Sequence, residues 1–112
     1  MKPSRDETAH QRKRNEDALF NAVNNLQGTT EIRNFLKDLC TPAELQALVD
    51  RWHVVSLLGK ELPYRRIHDM TGVSVTTIGR VARFLTDGYG GYQAAIENSD
   101  QMHKSSKKRA SH

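Results

Sequence analysis

The chain has a single cysteine, three prolines and no apolar run near the ~18 residues that a membrane span requires. With Cys40 alone, neither an intramolecular disulfide nor a cysteine-built metal site can form, and a reducing compartment is expected. The start, MKPSRDETAHQRKRNED, has no hydrophobic region of the signal-peptide kind, so the expected location is the cytoplasm. Glycine-rich phosphate loops, nucleophile elbows and carboxylate pairs are missing too, and an enzyme is not expected. Asp50 and His53 lie three apart on one helix, but no third ligand follows at useful spacing and the five histidines form no cluster. No metal is expected. What remains is room for one domain: 112 residues, 37% of them apolar, support a modest core.

The net charge of +4 is unevenly placed. Residues 1 to 14 carry five Lys/Arg against two acids, and residues 98 to 112 carry four against one, so each end is +3. Residues 15 to 97 carry eight Lys/Arg against ten acids and come to −2, which completes the sum of +4. Inside that acidic body, residues 62 to 86 hold Arg65, Arg66, Arg80 and Arg83 against Asp69 alone, a local +3. A patch of this kind is a candidate anion-binding surface whatever the global pI.

Both ends are polar, aperiodic and poor in large apolar groups, so 1–13 and 98–112 are expected to be disordered basic tails around a helical domain at 14–97. Leu19, Val23 and Leu26 mark a helix over about 14–27 that Gly28 ends. Thr29 or Thr30 caps a second helix, along which Ile32, Phe35, Leu36 and Leu39 fall at i, i+3, i+4 and i+7. TPAE at 41–44 has the form of a capping box and opens a third helix that should run to Leu58, with Gly59 as its left-handed stop. That helix is apolar on two sides: Leu45, Leu48, Val49, Trp52 and Val55 form one arc, and Ala47, Val54, Leu57 and Leu58 the other. A chain this small has too little else to cover both, so a second copy is expected to supply part of the cover.

HDMTGVSVTTIGR, residues 68–80, breaks one helix with Gly72 and at once caps the next with Ser74. Two short helices within about 63–86, held together by Ile67, Val73, Ile78, Val81 and Leu85, then make a helix-turn-helix. Ser74, Thr76, Thr77, Arg80 and Arg83 lie on the opposite side of the second helix, short hydrogen-bonding groups near its start and long cations toward its end. Such a face suits the major groove of DNA. His68 stands where this motif usually keeps a small residue and is counted with the candidate DNA-facing set. GYGGY at 88–92 should serve structure, as cover for the third helix or as a contact to a partner subunit.

The order of these elements, and TPAELQALVDRWHVVSLLGKELPYRRIHDMTGVSVTTIGRVARFL in particular, resembles the Trp repressor superfamily; with GYGGY it is most similar to the YerC/YecD-type Trp-repressor-like group. The resemblance implies an all-α, multi-helical bundle of intertwined homodimers that present two reading heads to double-stranded DNA. It matches Arg65 to an arginine that contacts guanine and places Val75, Thr76 and Gly79 near base edges. It also puts Thr41, Arg51, Thr77 and Arg80 at positions of a corepressor pocket. Val81 replaces the small glycine that makes room for an indole there, and Phe84 replaces a serine that helps hold the ligand's amino group. Tryptophan is therefore not the expected effector, while another small molecule stays open. The expected function is a dimeric, sequence-specific transcriptional regulator, a repressor at a palindromic operator. The competing expectation is a helical protein-interaction module with nonspecific DNA affinity only.

Overall fold

The computed structural model describes residues 7–99, which form six helices and, among the described residues, no strand. They are α1 (Ala9–Asn24), α2 (Gly28–Leu39), α3 (Pro42–Gly59), α4 (Tyr64–Thr71), α5 (Val75–Asp87) and α6 (residues 91–99). The chain divides into two compact units, Met1–Leu45 and Gln46–His112, with α3 beginning in the first and continuing in the second.

In the first unit α1 starts earlier than apolar spacing predicts, so the expected domain start at 14 falls inside this helix. The cause is a capping box: the Thr8 hydroxyl accepts from the Gln11 amide at 3.1 Å, and Gln11 Oε1 accepts from the Thr8 amide at 2.8 Å. The polar turns that follow add a Lys13–Asp17 ion pair at 3.1 Å rather than core contacts. The remainder of both expected tails, 1–6 and 100–112, lies outside the described residues. Gln27, not Thr29 or Thr30, is the N-cap of α2; its amide donates to Glu31 Oε1 at 2.7 Å. No residue of α1 or α2 is buried, and Phe20 is 59% exposed.

The TPAE box forms as expected, with Thr41 Oγ1 accepting from the Glu44 amide at 3.1 Å and Glu44 Oε1 accepting from the Thr41 amide at 2.8 Å. The end of α3 differs. Gly59 is not left-handed; the helix tightens through amides of Lys60 and Glu61 donating to the carbonyls of Leu57 and Leu58, and Glu61 takes the positive φ of 61°.

The second unit holds the core: Val54, Val55, Leu57, Ile67, Val73, Ile78 and Val81 are buried, with Leu58, Leu62, Leu85, Tyr92 and Ile96 packed on them. Of the two arcs on α3, this core takes the one bearing Val54 and Leu57, together with Val55. Leu48, Val49 and Trp52 stay exposed. Tyr92 of α6 lies against Trp52, ring centroids 6.3 Å apart, whereas Tyr89 is fully in solvent. Thus one tyrosine of GYGGY covers α3 and the other does not. Gly88 is required where the chain leaves α5, since a Cβ there would collide with the Phe84 carbonyl oxygen. Among the described residues no helix is long and apolar enough to cross a membrane.

Candidate nucleic-acid interface

The two helices of the expected motif, α4 and α5, are separated by residues 72–74. Gly72 closes α4 in the left-handed conformation (φ 77°), its amide donating to the His68 carbonyl at 2.8 Å. Ser74 opens α5: its hydroxyl accepts from the Thr77 amide at 3.1 Å and donates to Thr77 Oγ1 at 3.0 Å. One face of each helix is anchored in the core by Ile67, Val73, Ile78 and Val81, and the opposite face of α5 is consequently turned outward.

The outward side carries the candidate set. Arg65, Arg80, Arg83, Ser74, Val75 and Thr76 are exposed. None of Arg65, Arg66, Arg80 and Arg83 makes an ion pair among the described residues, so the local +3 of residues 62–86 is available to an external anion. Val75, Thr76, Gly79 and Arg83 share one side of α5 through i, i+3 and i, i+4 spacing. Gly79 is half-buried beside Tyr64; a Cβ built there would lie 3.9 Å from Tyr64 Cε2. Ser74 is placed differently from a free contact residue: its hydroxyl proton is spent inside the cap, which leaves Thr76 as the exposed hydroxyl of the first turn.

His68 is half-buried and points into the turn, its Nδ1 2.7 Å from the Val73 carbonyl oxygen. A carbonyl can only accept, so Nδ1 carries the proton. Periodicity had no means of finding this contact, nor the role of Thr71, whose hydroxyl donates to the Ile67 carbonyl at 2.7 Å and accepts from the Val73 amide at 3.0 Å.

Of the expected pocket residues, Arg51, Thr77 and Arg80 come together, lining a pocket of about 290 Å³ with Asp50 and Ser74 among its walls. Thr41 belongs to the first unit, where its hydroxyl caps α3. Asp50, weighed above as half of a metal pair, accepts from Gln46 Nε2 at 2.8 Å. A larger cleft of about 470 Å³ is walled by Leu48, Arg51, Arg80, Val81, Phe84 and the loop at Tyr89 to Tyr92. Phe84 is occupied on its face: the Arg80 guanidinium carbon lies 4.7 Å and that of Arg83 5.4 Å from the ring centroid. The i, i+4 spacing of Arg80 and Phe84 is the one sign of this stacking in the sequence.

The geometry has counterparts in known proteins. The family model described as Trp repressor protein matches residues 14–100. The chain is 38% identical over 81 residues to a protein of Bacillus subtilis (strain 168) named as uncharacterized protein YerC, a match covering 72% of this chain and 78% of that protein. A solved structure, the crystal structure of a TrpR like protein from Eubacterium eligens ATCC 27750, superposes with a TM-score of 0.74 at 31% identity and covers 83% of this chain and 96% of that one.

Proposed function

The chain belongs to the Trp repressor family, a family of DNA-binding regulators, and from this we propose that it is a sequence-specific transcriptional regulator, a repressor that occupies a palindromic operator as a homodimer in the cytoplasm. The observation that carries the reading is the outward face of the helix-turn-helix: an exposed first turn on α5 flanked by four arginines that make no ion pair among the described residues. Thr76 and Val75 at the helix start are sized for base edges and thymine methyls. Arg65, Arg80 and Arg83 are suited to guanine or phosphate.

Dimerisation is supported by exposed apolar surface. Leu19, Phe20 and Val23 of α1, Ile32 and Leu39 of α2, and Leu48, Val49 and Trp52 of α3 are all open to solvent, an arrangement that a second copy would cover. Two-fold helix-turn-helix dimers, the Trp repressor among them, read half-sites centred about 34 Å apart, and that spacing is expected here. The basic ends add affinity without sequence preference.

Regulation by tryptophan is not expected. Val81 and Phe84 stand in the wall of the larger cleft in place of smaller groups, and the stacking of Arg80 on Phe84 supports a site in which the planar face of that arginine is already in contact. A small effector taken at Arg51 and Arg80 would carry an anionic group to meet two guanidiniums.

The test is selection of binding sites from random duplex DNA by the purified protein at moderate salt, with and without tryptophan. A palindromic consensus that is lost with Arg65→Ala, at unchanged helix content, supports the proposal. Retention governed by salt alone favours the interaction module, with the exposed Tyr64, Met70 and Val75 as its contact residues.

A further inference from the structure

Val73 is the middle residue of the turn and the last before the N-cap of α5. Its amide and carbonyl have no partner in either helix ladder, yet both are held by side chains of α4: the amide donates to Thr71 Oγ1 at 3.0 Å, and the carbonyl accepts from His68 Nδ1 at 2.7 Å. Thr71 is itself tied back, donating to the Ile67 carbonyl at 2.7 Å. The Val73 side chain is 8% exposed and packed in the core, and Gly72 before it is fixed in the left-handed well. The residue from which α5 departs is therefore gripped on three sides: both of its polar backbone groups and its side chain.

We propose that His68 and Thr71 are positioning residues that set the direction of α5 through the Val73 peptide, and thereby the base sequence the protein reads, rather than residues that touch DNA. The inference rests on the DNA-binding reading above. Its physical basis is leverage. The helix of 13 residues starts two residues after Val73 and rises about 1.5 Å per residue, so a tilt of about 5° at the turn displaces Gly79, about 9 Å along the axis, by about 0.8 Å. Hydrogen bonds to base edges tolerate only a few tenths of an ångström, whereas phosphates reached by long, flexible arginines accommodate such a shift. Loosening the clamp should thus lower specific affinity and leave nonspecific affinity in place. The position that this motif usually keeps small carries in this chain a donor long enough to reach across the turn.

The experiment measures affinity for the selected site and for a scrambled duplex, over a range of salt, in the full chain and four variants. His68→Phe keeps a ring without a donor, and Thr71→Val keeps the shape without the hydroxyl. His68→Asn retains a donor at the place of Nδ1, and Thr71→Ser retains the hydroxyl. Expected is a loss of site selectivity on the order of tenfold, the worth of a base contact, in His68→Phe and Thr71→Val, with restoration in His68→Asn and Thr71→Ser and an unchanged salt slope in all four. If His68→Phe and Thr71→Val both keep wild-type selectivity, the clamp does not position the helix. If the salt slope falls by about 0.9 per subunit with His68→Phe, His68 contacts phosphate directly and the positioning role is overturned. A wild-type protein that prefers no site at all refutes the DNA-reading function and this inference with it, an outcome distinct from either of the others.

Discussion

Gly79→Ala should make the protein more stable and a worse DNA binder. Gly79 lies inside α5, where glycine costs about 0.5–1 kcal/mol relative to alanine through the backbone freedom it loses on folding. The added methyl has space: the nearest side-chain atom to a Cβ at this position is Tyr64 Cε2 at 3.9 Å, an ordinary contact. No strain offsets the gain, so Tm should rise by roughly 3–6 °C. On the DNA side the same methyl lies among Val75, Thr76 and Arg83, one turn from the helix start. A groove in close contact with this face would have to move away from it, with an overpacking cost of about 1–3 kcal/mol per subunit. The assays are thermal unfolding by circular dichroism and titration of the selected duplex. A fall in Tm would refute the packing argument. A rise in Tm with unchanged affinity would refute the placement of Gly79 against DNA, because helix propensity alone gives no reason for glycine here.

Other expectations can be checked with the same assays. Ile78→Ala, at a fully buried position that joins α5 to the core, should cost about 2–5 kcal/mol, seen as a lowered urea midpoint. Ser74→Ala removes the cap of α5 and with it about 1 kcal/mol, while Ser74→Asp keeps an acceptor and should retain most of it. Arg83→Ala should lower the salt slope of DNA binding by about 0.9 per subunit with little change in site preference, whereas Arg65→Ala should relax the preference itself. Leu19→Glu combined with Phe20→Glu, both on an α1 that has no buried residue, should shift the protein to monomer in sedimentation and reduce its helix content; a monomeric wild type would refute the dimer.

Much of the architecture was legible in the chain because its causes are local. Helix order, the capping box at Thr41 and Glu44, the left-handed Gly72 and the Ser74 cap all act within about four residues, and so does the spacing that puts Ile78 and Val81 on one apolar face of α5. The start of α1 at Ala9 is equally local, but it rests on the polar pair Thr8 and Gln11 with no apolar stripe behind it, and a search by hydrophobic period passes over it. Arg80 and Arg83 could be named as candidate contacts because helical spacing puts them opposite the apolar side of α5, and Arg65 because the family resemblance matches it to a base-contacting arginine.

Tertiary packing decided the rest. Two arcs of α3 are equally apolar in sequence, and only the arrival of α4, α5 and α6 buried Val54 and Leu57 while leaving Leu48, Val49 and Trp52 open. Tyr89 and Tyr92 sit in one short motif, yet one meets Trp52 and the other meets water. His68 reads in sequence as an oddity in a motif that prefers a small residue at that place; folding bends the chain back at Gly72 and sets its imidazole against the Val73 carbonyl. Local propensity specifies where helices begin and end, but the partner of a side chain that reaches across a turn, and the face left for a ligand, depend on the angle at which those helices meet.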